Sequence, residues 1–195
     1  LVKFKIPDDM RKKLLEEANA SHKDFEKNLA GVITKEVGFR DIEMFKPFFH
    51  TVFEMYADAQ SKWAPEVGST IETFKQQYLI EALWANFQGP GDFNPPHDHG
   101  GVYSFVIWMQ IPTSFAEQRK LPVCAESNAD NHISNFAFSY TNTLGKVSTF
   151  AYNMEKEAEG YMVMFPAQML HQVFPFYEND GERISISGNI NIEEK

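Results

Sequence analysis

The sequence has few of the features that mark secreted or membrane proteins. It contains one cysteine, Cys124, so no internal disulfide can form and the fold does not depend on an oxidising compartment. No apolar run approaches the roughly 18–20 residues that a membrane-spanning helix needs. The chain begins LVKFK and continues into a charged segment, so we expect no secretory signal there. We therefore predict a cytoplasmic protein that does not act at a membrane.

Positive charge is also scarce. The chain has 18 Lys and Arg against 27 Asp and Glu, a formal net charge of −9 at pH 7. A protein this acidic repels phosphate backbones, which argues against nucleic acid as a partner. The short basic run Arg11–Lys13 lies beside Glu16 and Glu17, as is typical of a solvated helix face. The expected partner is a small-molecule or peptide substrate, and the sequence does not decide between a monomer and a homodimer.

Aromatic residues, in contrast, are abundant and indicate a large packed core. There are 18 Phe in 195 residues, a length that suits one domain. Residues 1–77 are predicted to be a helical layer. Pro7 and the acids after it are typical of a helix start, a second helix is predicted from Ser21, and Phe45 and Phe49 belong to a third with an aromatic face.

From residue 78 onward the pattern is typical of strands. The segments become short, rich in aromatic and β-branched residues, and are separated by Gly, Pro and Asn. The predicted strands are Tyr78–Phe87, Tyr103–Ile111, Asn135–Tyr140, Val147–Tyr152, Gly160–Phe165, His171–Phe174 and Arg183–Ile192. This order predicts a mainly β, α+β protein: an antiparallel barrel or jelly roll over residues 78–192, covered on one side by helices. No break in composition divides it, so we predict a single domain, 1–195.

Two histidines lie close together in the segment NPPHDHGG. On an extended backbone His97 and His99 point to the same side, where two imidazoles can share a metal ion. Asp98 lies between them and would point to the opposite face of a regular strand. A local bulge would instead bring its carboxylate to the metal in place of His99. We predict His99 as the ligand, with Asp98 as the alternative.

A third histidine, His171, follows an apolar strand and a turn at Pro166. A third imidazole would complete a facial set of ligands and leave open positions on an octahedral ion. That arrangement suits Fe(II) and O₂ chemistry. We therefore predict that His97, His99 and His171 form a catalytic metal site.

The segment RISISGNINI near the end of the chain alternates strictly between polar and apolar residues. Its polar face starts with Arg183, which lies twelve residues after His171, and continues with Ser185. A guanidinium near the metal can hold a carboxylate by two charge-assisted hydrogen bonds, and Ser185 can add a third. A surface strand with its polar face in water is the alternative.

Taken together, the motifs NPPHxH, FPxxxxH and RISISxN resemble those of the 2-oxoglutarate- and Fe(II)-dependent oxygenases, most of all the small enzymes of marine phages and bacteria. The resemblance covers Tyr78 to Ile192. It implies a cupin-like double-stranded β-helix, Fe(II), 2-oxoglutarate and O₂, and a hydroxylation that releases succinate and CO₂. It also implies that Arg183 and Ser185 bind the distal carboxylate of 2-oxoglutarate, with Tyr103 as a further candidate. The superfamily usually has Asp or Glu where this chain has His99.

Two other functions fit the same residues. One is a cupin-type metalloprotein with three histidines and no 2-oxoglutarate, although the Glu that usually follows HxH in cupins is absent until Glu117. The other is a catalytically silent jelly-roll binding protein. Arg183 discriminates between them, because only the oxygenase needs it for a cosubstrate. The sequence does not identify the substrate. Trp84, Phe93, Phe105 and Trp108 are candidates to shape its pocket, and plain core packing is the favoured alternative for each.

Overall fold

The computed structural model of the chain describes residues 1–20, 23–24, 31–63, 78–125 and 132–192. The helix predicted from Ser21 onward falls mostly outside these ranges, and its described residues, Lys23–Asp24, form a short strand.

Antiparallel strands form two sheets in the described residues. The strands are β1 (Val2–Lys5), β2 (Lys23–Asp24), β3 (Lys35–Gly38), β4 (Tyr78–Gln88), β5 (Asn94–His97), β6 (Tyr103–Gln110), β7 (Asn135–Thr141), β8 (Val147–Asn153), β9 (Tyr161–Pro166), β10 (His171–Val173) and β11 (Arg183–Ile192). The larger sheet has seven strands in the order β1-β9-β6-β11-β4-β3-β2, and the smaller has four in the order β5-β10-β7-β8. The fold is a jelly roll, as predicted.

Helices cover the outer face of the larger sheet. The covering helices are α1 (Asp8–Ala20) and α2 (Lys46–Trp63). Two single turns, α3 (Phe115–Gln118) and α4 (Pro122–Ala125), lie between β6 and β7 in the chain. Asp8 and Asp9 occupy the first turn of α1, where their charge favours the positive end of the helix dipole. In α2, the buried Phe49 stacks on Phe105 of β6 with ring centroids 4.7 Å apart. Aromatic packing therefore joins the helical layer to the sheet.

Two separate cores follow from the alternation of side chains along the larger sheet. On β11, Ile184 and Ile186 are buried in the core beneath the helices. Arg183 and Ser185 lie on the other face, between the two sheets. A second apolar cluster, which includes Trp108 and Phe165, fills part of that space. The polar face predicted for β11 therefore points into the molecule and not into water.

Two expectations for the first 77 residues are corrected. The region is not entirely helical, because β1 pairs with β9 and β3 pairs with β4 in the larger sheet. Nor is the basic run Arg11–Lys13 fully solvated. The Arg11 side chain is only 29% exposed and forms an ion pair with Glu159 at 2.8 Å. The same guanidinium donates to the Met109 carbonyl, so it links α1 to the sheet.

No helix among the described residues is both long and apolar enough to cross a membrane. The cytoplasmic location stays a prediction.

Candidate active site

Strand pairing brings the three histidines together. In the smaller sheet, antiparallel pairing of β5 with β10 puts His97 directly opposite His171. His99 lies just beyond β5, and its backbone N–H donates to the Ala167 carbonyl at 2.9 Å. One nitrogen of each of the three imidazoles lies within 4.8 Å of the others. The three imidazoles, which come from two separate segments of the chain, therefore converge on one point.

Backbone hydrogen bonds set the orientation of two of these imidazoles. Nδ1 of His97 is 2.8 Å from the Pro95 carbonyl, and Nδ1 of His171 is 2.9 Å from the Met169 carbonyl. A carbonyl oxygen only accepts, so each Nδ1 carries the proton and donates it. Each Nε2 then keeps its lone pair, as a metal ligand requires.

Burial keeps the imidazoles of His99 and His171 neutral. Burial, together with the nearby imidazole of His97, lowers the pKa of His171 to about 3. The same two causes lower the pKa of His99 to about 4, although the Asp98 carboxylate opposes the shift. Both rings are therefore unprotonated at neutral pH, and they can bind a metal ion without first losing a proton.

The geometry favours His99 over Asp98 as the third ligand. Among the described residues, the group of donor atoms around this point contains no carboxylate. Asp98 is exposed, and it lines the cavity beside the histidines without joining them.

The histidines open onto a cavity of about 290 Å³ between the two sheets. Arg183 and Ser185 line the same cavity from β11, and Asn86 and Gln88 line it from β4. The structure therefore brings the predicted histidines, Arg183 and Ser185 to one site.

Arg183 is a buried cation that forms no ion pair with a carboxylate of the described residues. It is 2% exposed. Its Nε donates to Oε1 of Gln88 at 3.0 Å and its Nη2 to the Phe174 carbonyl at 2.9 Å, while Nη1 has no partner. Burial lowers the pKa of Arg183 to about 10, although the Asp92 carboxylate opposes the shift, and the guanidinium stays charged at neutral pH. A buried positive charge without an ion-pair partner is costly, and the binding of an anion would reduce that cost.

Gln88 adds a second unused donor beside Arg183, and sequence reasoning missed it. The two residues are paired across β4 and β11. Because Nε of Arg183 can only donate, the oxygen of Gln88 must face it, and Nε2 of Gln88 is left buried without a partner. Ser185, 8% exposed, lies two residues further along β11. The signal in the sequence was short, since only Asn86 and Gln88 alternate as polar residues at the end of β4, whereas the polar residues of β11 run along most of that strand.

Tyr103 does not belong to this site, and its prediction as a 2-oxoglutarate ligand is wrong. Its ring packs against Tyr56 and Tyr78, with centroids 5.0 and 6.1 Å away, in the core under the helices. Burial also raises its pKa. Neighbouring side chains on β6 alternate, so it is Val106 and Trp108 that line the cavity and Tyr103 that points away from it.

Two of the four candidate aromatic residues shape the cavity. Trp84 and Trp108 line it, and the Trp84 ring lies 5.6 Å from that of His99. Phe105 borders the cavity, but its ring stacks on Phe49 in the core beneath the helices. Phe93 is 39% exposed and is not part of the lining.

Fold and site together define a jelly-roll protein with three converging histidines and a buried arginine in one cavity. Comparison with known families agrees with this class. The sequence profile of the family described as "Putative 2OG-Fe(II) oxygenase" matches residues 82–189, more than half of the chain. The chain belongs to this family of 2-oxoglutarate- and Fe(II)-dependent oxygenases.

Comparison with one solved structure supports this fold, and weaker matches follow it. A prolyl-4-hydroxylase from Pseudomonas putida superposes with a TM-score of 0.51 at 13% identity, covering 99% of this chain and 92% of that one. The viral collagen prolyl hydroxylase of Paramecium Bursaria Chlorella virus-1, solved with 2-oxoglutarate, gives 0.48 at 15% identity, covering 96% and 94%. A cupin domain from Bordetella pertussis gives 0.29 at 13% identity, covering 61% and 94%. No curated protein sequence matches the chain.

Proposed function

We propose that the protein is an Fe(II)- and 2-oxoglutarate-dependent dioxygenase that hydroxylates its substrate and releases succinate and CO₂. One observation carries the proposal: a single cavity joins three histidines, of which His99 and His171 are neutral, to a buried guanidinium that has no ion-pair partner among the described residues. A dicarboxylic acid that must chelate a metal at one end and be anchored at the other needs both groups.

The histidines fit Fe(II). Three imidazole nitrogens leave several coordination positions open, which is the ligand set that iron oxygenases need. His97, His99 and His171 would hold the ion, and when bound it supplies the activation of O₂. The chain keeps this end of the cavity apolar, since Phe136 and Phe165 pack against His171 with ring centroids 5.5 and 4.9 Å away.

The other end of the cavity would bind the distal carboxylate of 2-oxoglutarate. Nη1 of Arg183 and Nε2 of Gln88 are buried donors without partners, and the Ser185 hydroxyl lies on the same wall. Hydrogen bonds to Gln88 and to the Phe174 carbonyl fix the guanidinium before any ligand arrives. Binding therefore costs little side-chain entropy and gives short, charge-assisted hydrogen bonds.

The two alternative functions explain less of the site. A cupin-type protein without 2-oxoglutarate, or a silent binding protein, would leave the Arg183 charge buried with no ligand to compensate it.

Turnover of 2-oxoglutarate tests the activity itself. We expect succinate to form slowly, even without substrate, only when Fe(II), O₂ and 2-oxoglutarate are all present. His171→Ala should abolish it, whereas the same change at the exposed His132 should leave it unchanged. Succinate formation that persists in His171→Ala would contradict the proposed metal site.

Binding of 2-oxoglutarate tests the cosubstrate assignment separately. Arg183→Ala should weaken calorimetric binding of 2-oxoglutarate to the Fe(II)-loaded, oxygen-free protein by about a hundredfold, because a buried charge pair is lost. Unchanged affinity would overturn the assignment.

A further inference from the structure

We propose that Asn189 binds the substrate through the two N–H donors of its side chain, and that the group it recognises is the carbonyl oxygen of a neutral amide. This inference rests on the proposed function. Asn189 lines the same cavity as the histidines and Arg183, and its side chain is only partly buried. The proposed 2-oxoglutarate site does not include it.

The Ser104 hydroxyl fixes the orientation of the Asn189 amide. The two residues are direct partners across β6 and β11, and the hydroxyl donates to Oδ1 of Asn189 at 2.8 Å. Ser104 is 1% exposed, so its proton would lose a buried acceptor if the amide turned round. Oδ1 therefore faces Ser104, and Nδ2 presents its N–H groups to the cavity. Nδ2 has no hydrogen-bond partner among the residues that the structure describes.

Asn189 lies beyond the reach of a 2-oxoglutarate molecule anchored at Arg183. The two residues are six positions apart on β11, which corresponds to about 20 Å along a strand. Nε of Arg183 donates to Gln88, its direct cross-strand partner, so the guanidinium stays close to its own end of the strand. The carbon chain of 2-oxoglutarate has four C–C bonds of about 1.5 Å and spans at most about 6 Å. The donors of Asn189 are therefore left for another ligand.

Along β11, His99 lies between the two ends of the cavity. Trp84, whose ring is 5.6 Å from that of His99, is the cross-strand partner of Ser187. Ser187 lines the cavity between Arg183 and Asn189, and Asn189 lies one step further from Arg183. A group held by Asn189 would therefore approach the metal from the end opposite to the anchored cosubstrate.

The groups at this end of the cavity favour a neutral acceptor. An ammonium group cannot pair with Nδ2 of Asn189, because both carry only donors. Asp98, the neighbour of His99, lines the cavity and would repel a carboxylate, and the net charge of −9 acts in the same sense over a longer distance. An amide carbonyl carries no net charge, and resonance moves electron density onto its oxygen, which has two lone pairs for the two donors.

Matched probes of different charge test the proposal. Calorimetry on the oxygen-free protein loaded with Fe(II) and 2-oxoglutarate would compare butyramide, butyrate and butylamine at pH 7. We expect butyramide to bind at least about fivefold more tightly than the other two, from its hydrogen bonds to Nδ2. Butyrate or butylamine binding as tightly as butyramide would overturn the proposal. N-Methylbutyramide distinguishes two sources of the amide: tighter binding than butyramide indicates a peptide backbone, and weaker binding a primary carboxamide.

A variant locates the binding site of the probe. Asn189→Asp keeps an oxygen for the Ser104 hydroxyl but replaces the two donors by a charged acceptor. We expect the affinity for butyramide to fall about fivefold and butylamine to become the tightest of the three probes. Asn142→Asp is the matched control, because Asn142 lies outside the cavity lining and also uses Oδ1 as an acceptor, and it should leave the order of the probes unchanged. An unchanged order in Asn189→Asp would refute the role of Asn189.

The wild-type protein separates the possible failures. The probe series in the wild type stays decisive if Asn189→Asp does not fold. Butyramide that binds only when 2-oxoglutarate is left out would assign the donors to the cosubstrate and overturn the proposal. A wild-type protein that fails to bind 2-oxoglutarate would contradict the proposed function instead, so the two failures are distinguishable.

Discussion

At the scale of single residues, the arrangement around Arg183 supports the proposal that the site binds the distal carboxylate of 2-oxoglutarate. A buried arginine normally pairs with a carboxylate of its own protein. Here an amide and a backbone carbonyl take two of its donors and leave Nη1 for a ligand. Gln88 acts in two ways: its oxygen orients the guanidinium, and its nitrogen extends the donor surface.

Replacing Gln88 by glutamate separates these two roles. Gln88→Glu keeps an oxygen facing Nε of Arg183 but supplies an internal counter-ion and removes the donor at Nε2. We expect the affinity for 2-oxoglutarate to fall about a hundredfold, through repulsion of its carboxylate and competition for Arg183. The melting temperature should not fall, because a buried charge gains a partner. Calorimetry and thermal unfolding measure the two quantities.

The control is Gln110→Glu, the same change at an exposed residue outside the cavity, which should leave 2-oxoglutarate binding intact. Equal affinity for 2-oxoglutarate in Gln88→Glu and the wild type would remove Gln88 from the carboxylate site.

The residues that the sequence could predict are those whose chemistry is rare. Three histidines and one arginine stand out in their motifs, and the fold brings them together. Gln88 was missed and Tyr103 was assigned incorrectly because β4 and β6 are buried along most of their length on both faces. A strand buried on both faces loses the polar alternation that shows which side chains point into a cavity.

At the scale of elements, the turn after β5 positions His99. It is held between β9 and β11, since His99 N–H donates to the Ala167 carbonyl and Val102 N–H to the Ile190 carbonyl. Gly101 makes this close approach with a φ of +92°, and a Cβ there would lie 2.7 Å from the Ile190 carbonyl oxygen. Both observations require glycine.

Gly101→Ala should therefore displace the turn. We expect it to destabilise the protein by about 1–3 kcal/mol and to weaken metal binding, because His99 lies only two residues away. Gly100→Ala is a matched control, since a Cβ at Gly100 meets nothing within 4 Å. Denaturant unfolding and a metal titration of both variants provide the measurements. Equal stability of the two variants would show that the turn is not under this constraint.

Among the elements, β11 was predicted with its observed bounds because its alternation is long and regular. The short strand β1 was missed because its four residues, VKFK, are too few to show a period, and its partner β9 lies far along the chain. Strand β5 was not predicted because it contains two prolines, which are unfavourable in most strands. It tolerates them because it lies at the edge of the smaller sheet.

At the scale of the whole molecule, the metal site should couple stability to pH. Without metal, His99 and His171 take up protons near pH 6.5 in the unfolded chain but only at about 4 and about 3 in the folded protein. The unfolded state therefore binds more protons in between, and the stabilisation present above pH 6.5 is lost as the pH falls towards 4.

We expect the unfolding free energy of the metal-free protein to drop by about 2–3 kcal/mol between pH 7 and pH 5.5 from these groups. Denaturant unfolding in the presence of a chelator measures it. His171→Asn should reduce the drop, and His132→Asn, at an exposed position, should not. A drop of the same size in His171→Asn and in the wild type would show that the imidazole of His171 is not its source.

The proposed function requires that one iron ion and one molecule of 2-oxoglutarate bind together in the cavity. The most direct measurement is an oxygen-free titration with Fe(II) and then 2-oxoglutarate, followed through the weak visible charge-transfer band of the chelate. We predict that the band saturates at one equivalent of each per chain, and that it is absent in His171→Ala and shifted to higher 2-oxoglutarate concentration in Gln88→Glu. A wild-type protein that binds no Fe(II), or that binds Fe(II) without developing the band, would contradict the account.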